Sequence, residues 1–200
     1  MNGLLGWALA EIGFKVTRRS GTPNREESGS LGLGTHLLLE VELDGEQLLA
    51  DVGFGDGLRR SVQIDECAYE QDGLTYQLES REDGFWRFHN HAHTTMPYFD
   101  FKRDLSTEES EQELAQGCAG LQANANSPFR KTLIAFRYTP TTIDTLVGKV
   151  AVSISPKGRK ERTLETMADV QRDLEVRFGL IYVLVEHPTG GTILRMRPSV

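Results

Sequence analysis

The sequence predicts an α+β protein: one helix at the N-terminus, an antiparallel barrel or sandwich of short strands, and a mixed second unit of strands with one helix. Three observations carry this. Residues 35–55 form two β-rich runs joined by Asp44-Gly45, the favoured dipeptide of a two-residue hairpin turn. Further short β-like runs follow, separated by polar turns. From Ser106 the pattern changes to a segment with acidic residues in its first turns, a helix or a connecting segment, which places a boundary near residues 106–127.

In chain order, Leu5, Ala8, Leu9 and Ile12 recur at helical spacing, and Gly13 is placed to end that helix in a left-handed conformation. The helical pattern already runs at Met1, with Asn2 as the available N-cap. A short β-like run at 14–17 leads into a polar stretch, 18–34, rich in Gly and Ser/Thr, which reads as a loop. Its G-S-L-G-L-G-T has neither dinucleotide-binding nor P-loop spacing, and no helical pattern follows it. In the hairpin, the turn sets Leu43 opposite Glu46, Val41 opposite Leu48, Leu39 opposite Ala50 and Leu37 opposite Val52. One face is thus nearly all aliphatic and has to cover a core. Strands are expected at 74–80, 84–89 and 97–102, then at 131–138, 145–155 and 162–164, and a second helix at 167–178 ending near Gly179.

The 20 glycines and 38% hydrophobic residues are ordinary for a globular chain. No run approaches the roughly 20 apolar residues that span a bilayer, and no signal peptide is recognisable, so the chain reads as soluble and cytoplasmic, with no membrane partner. A net charge of -7 argues against a nucleic-acid partner. Cys67 and Cys118 form at most one bridge, far from a secreted disulfide framework.

The hairpin also carries the candidate chemistry. The same register sets Leu38 across from Asp51, and His36 lies two positions along from Leu38 on that face. Such diagonal neighbours sit about 7–8 Å apart at the backbone, within reach of an imidazole and a carboxylate. Two readings fit: a structural hydrogen bond, which is the commoner, or the base half of a nucleophilic triad, in which the acid fixes the tautomer of a histidine that deprotonates a Ser or Cys. Three other features have bland and sharp readings. His89, His91 and His93 alternate on one expected strand face, as zinc ligands or as ordinary polar residues at a strand end, and no nearby group has a claim as fourth ligand. The basic run 155–162 is a solvated hairpin tip or an attractor of phosphate. Cys67, in a polar connection, reads as a partly buried structural cysteine.

The string T-H-L-L-L-E-V-E-L-D-G-E-Q-L-L-A-D-V-G-F-G resembles the His-containing strand, turn and D-V-G-F-G segment of the arylamine N-acetyltransferases. N-G-L-L-G-W-A-L-A-E-I-G-F-K-V resembles the helix after their catalytic cysteine, and S-P-F-R-K-T-L-I-A-F-R with V-R-F-G-L their C-terminal lid. The resemblance implies a papain-like cysteine-protease-type architecture without its helical front. Residues 1–13 would be a remnant helix, 14–105 an antiparallel β-barrel, 106–127 a connecting helical segment and 128–200 an α/β lid.

It implies transfer of acetyl from acetyl-CoA to an arylamine or hydrazine by a Cys-His-Asp, ping-pong mechanism without a metal. His36 would be the base, Asp51 its orienting acid, and Gly53, Phe54 and Gly55 the border of the arylamine pocket. Of the family's R-G-G-x-C-x-E-x-N motif only the final Asn is present, as Asn2, and the pattern sets the cysteine three residues before Met1. Cys118 stands where the family has Asn. Gln122 and Ala123 replace a Ser/Thr pair in a region that helps hold CoA. The resemblance therefore implies a chain short by a front segment of about 70 residues, a small domain. Such a chain is expected to be inactive alone and prone to self-association through apolar surface on the first helix and barrel wall. A non-catalytic module binding CoA or a small molecule is the alternative.

Overall fold

The computed structural model describes residues 1–186 and 192–196, which fall into two compact units, Met1–Asn124 and Ala125–Val200. Helix α1 (Asn2–Glu11) ends as the sequence indicates. Gly13 takes a φ of +98°, and Phe14 N–H returns to Leu9 O at 3.0 Å, satisfying a carbonyl of the last turn. Asn2 is not its cap, however: the N-cap position is Met1, and the Asn2 side chain is turned inward.

Strand β1 (Lys15–Pro23) is longer than the expected run at 14–17, and it occupies what reads as loop in the sequence. Its arginines explain the difference. Arg19 is paired with the buried carboxylate of Glu40 at 2.8 Å and donates to Leu105 O at 2.7 Å, and Arg18 pairs with Glu111, so a polar strand is held by partners distant in sequence. A short helix α2 (Arg25–Ser28) and a 3₁₀ turn (Gly29–Gly32) follow. Strands β2 (His36–Leu43) and β3 (Glu46–Ala50) then make the hairpin, in the register read from its turn: Leu39 pairs with Ala50, Val41 with Leu48 and Leu43 with Glu46. Asp44 and Gly45 both have positive φ, as a two-residue hairpin loop needs.

Five more strands complete one antiparallel sheet: β4 (Val62–Gln63), β5 (Ala68–Gln71), β6 (Leu74–Ser80), β7 (Trp86–His89) and β8 (Tyr98–Phe101). Its order is β4-β3-β2-β1-β8-β7-β6-β5. The two edges approach each other through side chains, since Tyr69 of β5 donates to Gln63 O of β4 and Gln71 bonds Arg59 and Arg60 backbone groups, so the sheet is a nearly closed barrel. Both faces of β2 are covered: Leu39 and Val41 are buried on the face read as apolar, and Leu38 on the other. Leu43 and Val52, at the ends of that apolar stripe, stay exposed. Helix α3 (Thr107–Ala123) packs on β1 and starts at a capping box, in which Ser106 and Glu109 bond each other's backbone N–H.

In the second unit, a short helix α4 (Pro128–Lys131) precedes β9 (Ile134–Tyr138), β10 (Ile143–Val147), β11 (Val150–Ser155) and β12 (Gly158–Thr163), an antiparallel sheet in the order β12-β11-β10-β9. The single strand expected at 145–155 is thus a hairpin. Gly148, with a φ of +59°, turns the chain so that Val147 pairs with Val150. Helix α5 (Met167–Phe178), capped by Thr166 and ended by left-handed Gly179, places Val170 and Leu174 on Leu146, Ala151 and Leu164 as this unit's core. A two-stranded ladder, β13 (Tyr182–Glu186) with β14 (Thr192–Met196), follows. The basic run at 155–162 forms the exposed turn and strand of the β11–β12 hairpin, where Arg159 pairs with Glu161 and Arg162 with Asp173.

Candidate active site

His36 opens β2 and Asp51 follows the last residue of β3, so the hairpin register puts both on the face opposite Leu39 and Val41. Both are buried, and His36 Nε2 lies 2.6 Å from Asp51 Oδ2. The other carboxylate oxygen, Oδ1, accepts three bonds: from Asn2 Nδ2 at 2.7 Å, Gly53 N at 2.8 Å and Phe54 N at 3.2 Å. Burial on its own pushes the Asp51 carboxyl up. The charge and hydrogen bond of His36, then the bonds from Asn2 and Gly53, outweigh it and hold the group below the ordinary carboxylate value. Asp51 is therefore ionised at neutral pH and accepts from an Nε2–H tautomer of His36. That leaves Nδ1 as the basic atom, and no group among the described residues hydrogen-bonds it.

Packing fixes the ring as well. The imidazole is flanked by Phe54 and Phe99, each with its ring centroid 5.1 Å away and tilted by 57° and 50°. On β1, Gly21 pairs with His36, and a methyl at Gly21 would stand 3.3 Å from the imidazole Cδ2 and 2.9 Å from Leu38 Cδ2. A side chain there would press on both, so glycine lets the ring lie close over that strand.

Of the residues the resemblance placed at the arylamine pocket, Phe54 is buried. It continues an aromatic cluster through Phe99, at 4.7 Å, and Phe88, at 6.2 Å. Gly53 is exposed but has its Cβ position 2.9 Å from Asn2 Nδ2, so it backs onto the carboxylate's support. Gly55 has a φ of +60° in the turn that follows. Asn2, which reads in the sequence as a helix cap, is the site residue whose geometry sequence reasoning missed. The only signal for it is its place as the last letter of the cysteine motif.

The other candidates lie elsewhere. Cys67 is exposed rather than partly buried, because it sits in the turn before β5, and Cys118 is exposed on α3, where its sulfur accepts from Gln122 Nε2 at 2.9 Å. His89, His91 and His93 do not share a strand face. The strand ends at His89, since Asn90 folds its side chain onto Thr94 and Met96, and His91 is buried against Asp56 O at 3.1 Å. Among the described residues no group of three or more His, Cys, Asp or Glu is arranged to hold a metal ion. Among them, too, no helix is long and apolar enough to cross a membrane.

Comparison with known proteins adds to this geometry. An N-acetyltransferase family profile matches residues 1–184. The chain belongs to the arylamine N-acetyltransferase family. It is 36% identical to the Salmonella typhimurium arylamine N-acetyltransferase / N-hydroxyarylamine O-acetyltransferase over 98 residues, 44% of this chain and 35% of that one. Against the Escherichia coli arylamine N-acetyltransferase it is 27% identical over 184 residues, 90% of this chain. The chain spans 64% of the length of that relative. The solved Mycobacterium marinum arylamine N-acetyltransferase in complex with CoA superposes with a TM-score of 0.76 at 24% identity, covering 89% of this chain and 67% of that one. That likeness establishes the papain-like fold of the arylamine N-acetyltransferases for this chain.

Proposed function

We propose that this chain carries the base half of an acetyl-transfer site, which moves acetyl from acetyl-CoA to an arylamine or hydrazine through a thiol. The observation that carries this is the buried His36–Asp51 pair, with Nε2 spoken for by the carboxylate and Nδ1 without a partner among the described residues. Asp51 orients the ring and stabilises the imidazolium formed when Nδ1 takes the thiol proton. The imidazolium then returns a proton to the leaving CoA thiolate, and the base cycle repeats as the amine attacks the thioester. Phe54 forms the wall beside the imidazole, and Gly53 and Gly55 border the pocket for the amine.

Cys67 and Cys118 are exposed and His36 is buried, neither cysteine hydrogen-bonds His36 among the described residues, and the family pattern aligned on Asn2 sets the thiol on its N-terminal side. The 200 residues by themselves are therefore proposed not to form an acetyl-enzyme. Incubation with acetyl-CoA followed by intact-mass measurement tests this: no adduct is expected, and a stoichiometric acetyl group discharged by an arylamine overturns it. Joining a front segment that carries the family's R-G-G-x-C-x-E-x-N motif in register with Asn2 is expected to give the adduct, in a form that His36→Ala abolishes. The exposed cysteines also favour a second reading, a module that binds CoA or a small amine without chemistry. Calorimetric titration with each decides it, and no heat with either removes it.

A further inference from the structure

Asp51 could orient His36 only if something orients Asp51. One end of its carboxylate meets the histidine; the other is held by two backbone N–H groups from its own loop and by one side chain from a different part of the chain, Asn2. Asn2 is 3% exposed and uses its whole amide. Its Nδ2 donates to Leu37 O at 2.5 Å and to Asp51 Oδ1 at 2.7 Å, while its Oδ1 accepts from Val52 N at 2.8 Å. Leu37 adjoins His36 in β2 and Val52 adjoins Asp51, so one amide ties both halves of the pair to the first turn of α1.

No other side chain of this size has that complement of two donors and one acceptor. The isosteric carboxylate of Asp would keep the bond from Val52 and set a second negative charge against Asp51. The position at the N-terminal turn of α1 adds a favourable helix-dipole field for the carboxylate.

We infer that Asn2 is the positioning residue of the His36–Asp51 pair, holding the Asp51 carboxylate turned with Oδ2 on His36 and so fixing the Nε2–H tautomer. The inference deepens the acetyl-transfer reading and rests on it for its functional meaning. Asn2 acts through Asp51 and touches no reacting atom.

The test is nuclear magnetic resonance of the full chain. The Asp51 carboxyl carbon gives that group's titration midpoint, and the His36 ring nitrogens give its tautomer, read above the ring's own titration. Asn2→Ala is expected to raise the Asp51 midpoint by about one pH unit, as loss of one hydrogen bond to a charged group implies. It is also expected to replace the single His36 tautomer by a mixture. Asn2→Asp keeps the shape and is expected to raise the midpoint further. A role in packing alone predicts the opposite ranking, with Asp tolerated and Ala damaging. Retained Leu38 and Phe99 signals show that each variant is folded, and if Asn2→Ala is not, Asn2→Ser, which is too short to reach Asp51, takes its place. Folded variants with both readouts at their wild-type values overturn the inference. A wild-type His36 without a bare Nδ1 instead overturns the acetyl-transfer reading, and the Asp51 midpoint still reports on Asn2.

Discussion

Replacing Asp51 by Asn changes which nitrogen of His36 carries the proton, and the structure gives both direction and size. Among the described residues, three N–H donors converge on Oδ1 and only the imidazole meets Oδ2. An amide at residue 51 has one oxygen, which the three donors hold at the Oδ1 position, so the amide nitrogen takes the place of Oδ2. That nitrogen donates, His36 Nε2 has to accept, and the ring proton moves to Nδ1. Keeping the original tautomer would require the amide to flip and set its NH₂ against three N–H groups. Three lost bonds at about 1 kcal/mol each, before any cost for the buried donors left unpaired, favour the unflipped amide by about 3 kcal/mol or more. That is a population ratio above about 100.

The four bonds to Asp51 also change from charge-assisted to neutral, at about 1 kcal/mol apiece, offset in part by no longer burying a charge. A net destabilisation of about 1–3 kcal/mol is expected. Long-range nitrogen–proton correlation spectra of the labelled imidazole, with His36 assigned from its own substitution, read the tautomer directly. In a chain completed with the thiol, acetyl transfer is expected to fall by about 10³–10⁴, since the proton then sits on the atom that should accept one. An Asp51→Asn protein that keeps the Nε2–H tautomer refutes the reasoning.

Three further outcomes are expected. Gly21→Ala adds a methyl 2.9 Å from Leu38 Cδ2 and 3.3 Å from the His36 carbonyl oxygen, and a backbone oxygen does not yield. Such overpacking costs about 1–3 kcal/mol, a fall of about 1 M in the urea midpoint, and an unchanged midpoint speaks against the close fit. His91 is held neutral because burial pushes its pKa below 6.5, so the unfolded chain binds the extra proton first. Stability is therefore lost as pH falls below about 6.5, until the folded-state value is passed, with a slope of up to about 1.4 kcal/mol per pH unit. His91→Phe should remove that slope in urea titrations whatever it does to the absolute midpoint. On α1 and its C-cap, Leu4, Trp7 and Ile12 are 69%, 61% and 73% exposed, so light scattering should show self-association that Trp7→Glu with Ile12→Lys reverses. A wild-type chain that stays monomeric at high concentration contradicts it.

The His36–Asp51 contact is legible in the sequence because the two residues are only 15 apart and Asp44-Gly45 fixes how the intervening strands pair. Once the turn is set, period-two alternation does the rest. The end of α1 at Gly13 and the acidic start of α3 after Ser106 are legible for a similar reason, since each signal lies within a few residues of the helix end it marks.

The features that were not legible share the opposite property. Arg18 and Arg19 make residues 18–23 look like loop, and their partners Glu111 and Leu105 are 93 and 86 residues away. Asn2 looks like a cap until Leu37 and Asp51, 35 and 49 residues on, are folded against it. In each case a polar side chain interrupts an apolar pattern, and local statistics assign it to solvent. The fold instead sets it opposite a complementary group, fully buried at Asn2 and part-exposed at Arg18 and Arg19, and that group offsets the cost of removing it from water. A polar residue is most easily misread where its partner is most remote. For Asn2 the remote partnership also joins α1 to both halves of the candidate site, so a residue that reads locally as a cap is the one proposed to set the geometry of Asp51.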